Sequence, residues 1–370
     1  MDIDVRNCGA EPVPPEGETQ VVGNSTSKPV TLADVARLAD VSVPTASRVL
    51  NGGVRGKGGN RELRERVEDA ARVLGYSVSA AAQATKEGRA RTIGLLVSDV
   101  EDFGAATIIA GILDAAEDRG LSVAVRATHD DAEREVELLT QFRGERHRAI
   151  ILATSRTTNL ERELAVKTQL EVLQRHGANI VLIGDSDHDY SRVTVNNHDA
   201  AAALADELAA AGNRRFAILA GPEEQITSRD RVAGFLAGLA RHGIEVPEEL
   251  IFHHGFDRDG GHLAVDILGD RLRDLDVIAA MSDGMAVGAI AALRRRGLET
   301  PRDIEVTGFD HVPMLGDVLP EFSTVGVPLH EFGESALKMA VDEPTPEIAK
   351  RRVAHKTSLI VRGVMIGVAA

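Results

Sequence analysis

The chain has 370 residues, of which 43% are hydrophobic and 3% aromatic, with no tryptophan. That length and apolar content exclude a fibrous or wholly disordered chain and point to two or three globular domains with cores of Ala, Val, Leu and Ile. The formal net charge of −15 argues at first sight against a nucleic-acid partner.

The distribution of charge reverses that reading. Residues 1–27 carry one basic and five acidic side chains, whereas residues 28–91 carry twelve basic and seven acidic, a net of +5. A basic amino-terminal module on an acidic body is the layout of a DNA reader attached to a sensor that repels DNA. The single cysteine, Cys8, allows no intramolecular disulfide, which fits a reducing cytoplasm. The opening MDIDVRNCGAEPVPPEGE lacks the apolar core of a signal peptide, and no run is apolar and long enough to span a bilayer.

Residues 1–27, rich in Pro, Gly, Glu, Ser and Thr, read as a disordered tail. A helix-turn-helix headpiece follows over 28–76. Thr31 with Asp34 three residues on makes a capping-box pattern, and Leu32, Val35, Ala36 and Ala39 fall on one helical face. Asp40 and Val41 make a tight turn in which Asp tolerates a left-handed backbone. Ser42 caps a second helix, and Pro44 sits in its first turn, where a missing N–H does no harm. Ala46, Val49 and Leu50 face inward; Val43, Pro44, Ser47 and Arg48 face out.

Two short helices joined this way form a major-groove reader. Arg48 is the residue best suited to a bidentate contact with guanine. Thr31, Ser42, Thr45, Ser47 and Asn51 carry hydroxyl or amide groups for phosphates. In the connector GGVRGKGG (52–59), Arg55 and Lys57 either reach phosphate or belong to a solvated loop. Asn60 caps a third helix whose buried stripe is Leu63, Val67, Ala70, Ala71 and Leu74. Residues 77–91 link this headpiece to the body.

From Thr92 short apolar runs alternate with helical stretches: IGLLV, LSVAV, AIILAT, IVLIG, VTV, FAILAG, LIFHH, VIAAM and IEVTGFD, with helices near 104–119, 131–143, up to Arg175, 199–211, 228–242, 259–273 and 284–296. This alternation predicts parallel sheets flanked by helices, and the length fits two lobes. Ligands bind beyond the carboxyl ends of strands in such sheets. That rule selects Asp102 and Phe103, Asp185, Thr227 and Arg231, Phe256, Ser282 and Asp283, and Asp310. Carboxylates, one arginine, hydroxyls and two rings suit a polyhydroxylated ring: the charged groups take the hydroxyls and Phe103 or Phe256 covers an apolar face. For Asp283, capping of the following helix is an equally good reading.

These stretches resemble the lac-repressor family of bacterial transcription regulators. TLADVARLADVSVPTASRVLN (31–51) is similar to its amino-terminal signature, and RERVEDAARVLGY (64–76) to its third helix and closing tyrosine, Tyr76. RTIGLLVSD, RVAGF, MSDGMAVGAIAALRRRG, VTGFD and LIVRG follow in order, as far as Gly363. The resemblance implies a small all-α headpiece plus an α/β two-lobed, periplasmic-binding-protein-like effector domain (92–370). Lobe 1 would cover about 92–195 and 327–352, and lobe 2 about 196–326 and 353–370. It implies that Arg231, in R-x-x-G-F, and Asp310, in G-F-D, bind effector, and that Phe256 stacks on sugar. It also implies a hinge helix over 77–91 that pairs with its dimer mate and wedges the minor groove, placing Ala81, Ala84 and Thr85 at DNA. Here the chain departs from the family: Val78-Ser79 replaces a Pro-Asn start, and Thr85 a leucine wedge. The loop at Asp102-Phe103 departs from the usual Asn-Pro-Phe.

The expected protein is a homodimeric, effector-controlled repressor of a near-palindromic double-stranded operator, with no cofactor or metal. G-x-x-x-x-G-K-[ST], H-E-x-x-H and G-x-S-x-G motifs are missing. His253 and His254 alternate across a strand, and GDSDHDY (184–190) lacks the rest of a calcium loop. A sugar receptor or a cytosolic α/β enzyme using the same cleft are the rival readings; the headpiece favours neither. Without leucine heptads after V-R-G, no tetramerising tail is expected.

Overall fold

The computed structural model describes residues 30–50, 61–77, 91–342 and 351–369. The tail, Asn51, Arg55, Lys57, Asn60, Ala81, Ala84, Thr85 and most of the expected hinge lie outside the described residues. The chain divides into two compact units at residues 83/84.

In the first unit three helices, Leu32–Leu38, Val43–Leu50 and Arg61–Leu74, enclose one small core. The Asp34 carboxylate accepts from the Thr31 N–H at 2.9 Å and its hydroxyl at 2.6 Å, so the first helix begins where the sequence places it. Asp40 has φ 52°, the left-handed turn expected of Asp, and Val41 N–H closes it on Ala36 O at 2.9 Å. Val35, Ala36, Ala39, Ala46, Val49, Val67, Ala70 and Ala71 are buried together, with Leu32, Leu50, Leu63, Leu74 and Tyr76 packed around them. The Arg66 guanidinium donates to the carbonyls of Ala39 and Asp40, tying the third helix to the turn.

The second unit begins with β1 (Thr92–Val97), β2 (Ser122–Ala127), β3 (Ala149–Ala153), β4 (Asn179–Ile183) and β5 (Ser191–Thr194). It continues through β6 (Phe216–Ala220), β7 (Ile251–His253), β8 (Val277–Ala280), β9 (Glu305–Asp310) and β10 (Ser323–Gly326). β11 (Arg352–Ala354), β12 (Thr357–Val361) and β13 (Val364–Ala369) close it. One sheet has the order β11-β5-β4-β3-β1-β2, the other β13-β12-β10-β9-β8-β6-β7. Pairings are parallel except β10–β12 and β12–β13. Near-continuous apolar strands such as β6, buried along its length, are what parallel strands covered on both faces require. The chain leaves the first sheet after Ala354, since β11 pairs with β5; that return lies slightly beyond the expected 353.

Helices pack with very close backbones, which suits a core poor in aromatics. A Cβ on Gly234 would lie 2.0 Å from the His198 carbonyl oxygen, so helix Ile226–Ala240 presses directly on the alanine-rich helix Asn197–Ala210. The sequence reading did not anticipate helices Pro313–Val318 and Leu329–Val341. The latter buries Phe332, Ala336, Leu337, Met339 and Ala340 and belongs to the segment that crosses back to lobe 1. In both sheets strand order reverses direction between two neighbours, β1/β3 and β6/β8, and the loops at the carboxyl ends of these strands carry the site.

Candidate DNA-reading face and ligand cleft

On the headpiece Val43, Pro44 and Arg48 are exposed, and Thr45 and Ser47 half-buried, along helix Val43–Leu50. Ser42 and Thr45 join hydroxyls at 2.8 Å, which fixes the start of the helix. Arg48 folds loosely back, its Nε 3.4 Å from Pro44 O and its Nη2 3.5 Å from Thr45 Oγ1. The Thr31 hydroxyl is engaged by Asp34. Tyr76 is half-buried against the headpiece core, its N–H on Ala71 O at 2.8 Å.

In the body the centre is Arg231, on helix Ile226–Ala240 and only 6% exposed. Its Nε donates to Asn197 Oδ1 at 2.9 Å, Nη1 to Met281 O at 2.7 Å and Nη2 to Asp310 Oδ1 at 3.0 Å. Its guanidinium carbon stands 3.7 Å from the centroid of the Phe309 ring and 5.8 Å from that of Phe256. A guanidinium desolvated against a ring face and paired with a carboxylate is held rigidly. Asp310 ends β9 with φ 116°, a strained conformation that turns its carboxyl toward Arg231. Burial pushes Asp310 up to about 6; Arg231 pulls it down and Asp102 adds to the rise.

Asp102 comes from the other lobe. It caps helix Phe103–Glu117 by accepting from Ala105 N–H at 2.7 Å. Burial raises its pKa, opposed by the two backbone N–H groups it faces and by Arg231. The lobes meet tightly here: a Cβ on Gly104 would be 3.2 Å from Asp102 Oδ1, 3.5 Å from Leu329 Cδ1 and 3.9 Å from Asp310 Oδ2. Phe103 is the half-buried first residue of that helix, and Thr227 stands half-buried one turn before Arg231. Ser282 caps helix Asp283–Arg295, accepting from Met285 N–H at 3.2 Å.

Asp283 and Asp185 sit differently. Asp283 is 1% exposed; its Oδ2 accepts from Val312 N–H at 2.6 Å and its Oδ1 from the Thr324 hydroxyl at 3.0 Å. It holds the turn that follows Asp310 from behind. Asp185 is paired with Arg352 at 3.0 Å, and burial raises its pKa against that partner. Sequence reasoning missed Asn197, Phe309 and Leu329. Asn197 is the second residue after the apolar VTV run, so the strand-end rule applied there would have found it. Among the described residues no group of three or more His, Cys, Asp or Glu side chains is arranged to hold a metal ion.

Residues 31–79 match the bacterial regulatory proteins of the lacI family, and residues 205–364 match the periplasmic binding protein-like domain. The HTH-type transcriptional repressor PurR of Erwinia tasmaniensis is 30% identical over 321 residues, 85% of this chain and 90% of that protein. A solved complex of the transcriptional regulator CelR with cellobiose is 27% identical, covers 90% of this chain and 99% of its own, and has a TM-score of 0.63. A Lac repressor dimer bound to operator and the anti-inducer ONPF shares the fold at 23% identity, covering 92% and 100% of the two chains with a TM-score of 0.75. A helix-turn-helix headpiece and a two-lobed binding domain define a ligand-responsive transcription regulator. The chain belongs to the lacI family of bacterial regulatory proteins: it is a DNA-binding repressor, not an enzyme, governed by an effector in its binding-protein-like domain.

Proposed function

We propose that the effector is a neutral sugar or sugar derivative held between the lobes by Arg231, Asp310 and Asp102, with Phe256 against its apolar face. The observation that carries this is the charge balance of the cleft: two carboxylates from opposite lobes face one arginine that is already paired with one of them. Such a site repels an anion and offers acceptors to hydroxyls. Phe103, Thr227 and Ser282 complete the wall, Asp185 lies at its edge, and Asp283 supports it from behind. The CelR relative, solved with cellobiose, supports the same class of ligand.

A thermal-shift panel of neutral sugars, sugar phosphates and nucleosides on the full chain tests this. A neutral sugar at a hundred times its dissociation constant should stabilise by about 2.7 kcal/mol. Stabilisation by sugar phosphates alone would overturn the assignment.

On the DNA side two chains act together in the cytoplasm, each headpiece reading half of a near-palindromic operator, as a dimeric arrangement requires. The Lac repressor dimer on its operator supports this. Arg48 reads a base while Ser42, Thr45 and Ser47 hold phosphates. Arg48→Ala should lose roughly 1–3 kcal/mol of operator binding and relax preference at one base position. Equal weakening on every sequence, measured by fluorescence anisotropy on an operator library, would reduce Arg48 to a phosphate contact.

A further inference from the structure

Helix Ile226–Ala240, which carries Thr227 and Arg231, has no side-chain cap at its start: Gln225 occupies the cap position without one. A helix start leaves N–H groups that need acceptors. Here the Ile226 N–H donates at 2.9 Å to the carbonyl of Arg156, a residue of the opposite lobe. Two residues on, Thr158 N–H donates to Glu224 O at 2.8 Å, so Thr157 and Gln225 form an antiparallel bridge between the lobes.

The lobe 1 side of this bridge is fixed by a cluster of charges that the ligand cleft does not use. Glu135 is 0% exposed and Arg156 4%. The Arg156 guanidinium donates to Glu135 and to the Thr154 hydroxyl at 2.7 Å. Arg162 Nη2 holds the other Glu135 oxygen at 3.1 Å. Glu163 accepts from Thr157 N–H at 2.9 Å, lies 3.4 Å from Arg156 Nη1, and has His188 Nε2 at 2.7 Å. Two arginines and two carboxylates balance. The Arg156 Nε finds no partner, but both terminal nitrogens are engaged, and buried charges paired in this way favour one conformation of the loop they carry.

We propose that the Arg156 loop is a latch between the lobes: its carbonyl caps the ligand-binding helix when they are closed, and the Glu135–Arg156–Glu163 cluster keeps it aimed. Opening the lobes breaks both bridge bonds and uncaps that helix, while the cluster stays intact within lobe 1. Arg156 is thus a positioning residue for Arg231, acting through the helix start.

The test needs neither ligand nor operator, so it stands apart from the sugar assignment. Spin labels at exposed Glu171 and Ala237, placed by cysteine substitution in a Cys8→Ala background, report the inter-lobe distance. Amide exchange of the full chain reports Thr158 and Ile226. Arg156→Ala should raise exchange at both amides by tenfold or more, leave strands β1, β3, β6 and β8 unchanged, and broaden the distance distribution. Arg156→Lys should restore part of the protection. If Arg156→Ala does not fold, Thr158→Pro removes one bridge donor at an exposed position and should open the lobes in the same way. Wild-type exchange at Ile226 in these variants overturns the latch, as does faster exchange with an unchanged distance distribution, which would make the loop's role local.

Discussion

Arg231→Ala should abolish the response to the effector while leaving effector-free operator binding intact. The guanidinium joins Asn197, Met281 O and Asp310 over the Phe309 ring, and its loss removes the cation paired with Asp310. Taking one partner from a buried charge pair costs about 3–5 kcal/mol when the other stays charged. Asp310 need not stay charged. Its pKa already lies at about 6 with Arg231 beside it, and without that cation it rises further, so near neutral pH the carboxyl can take up a proton. The variant should therefore fold, with a stability loss smaller at pH 6 than at pH 8, and fail in ligand binding. The measurement is ligand-induced release from, or tightening on, operator DNA by fluorescence anisotropy, alongside melting curves at both pH values. A variant that melts below wild type yet responds fully to the effector would place the ligand elsewhere in the body.

The headpiece was legible almost residue by residue because its signals are local. The capping pattern at Thr31, the left-handed Asp40 and the inward stripe from Val35 to Ala71 each follow from spacing and backbone preference. In the cleft, Asp102, Ser282 and Asp310 stand just beyond apolar runs, and Arg231 on the helix that follows one, where parallel-sheet geometry places ligands. Leu329 was not legible, because an apolar residue opening a helix reads as ordinary core. Nor was Glu135. Within AEREVELL it looks like one more solvated helix charge, but Arg156 from the loop after β3 and Arg162 from the next helix meet its two oxygens, and it is fully buried. Periodicity reports which face of a helix is covered, not what another segment lays across it.

Asp283 is expected to make the stability of the body fall as pH rises between about 4 and 8. Burial lifts its carboxyl from 3.8 to about 8, with the neighbouring Asp310 charge adding to the rise and the bonds from Val312 and Thr324 opposing it. Across that window the folded chain keeps a proton that the unfolded chain has released, so unfolding is favoured by rising pH. One such proton gives a slope of about 1.4 kcal/mol per pH unit; for a body of this size that is roughly 2–4 °C in Tm per unit. His147 and His355, pulled down by burial, act in the opposite sense near pH 6, so the quantity to follow is the difference between wild type and Asp283→Asn. The amide fits the same place: its oxygen can accept from Val312 N–H and its NH2 can donate to the Thr324 hydroxyl, reversing the bond that Asp283 Oδ1 accepts. Wild type should lose ground steadily to Asp283→Asn from pH 5 to 8 in differential scanning calorimetry. Parallel curves across that range would mean that Asp283 is charged in the folded state, held so by Arg231 and the bonds it accepts.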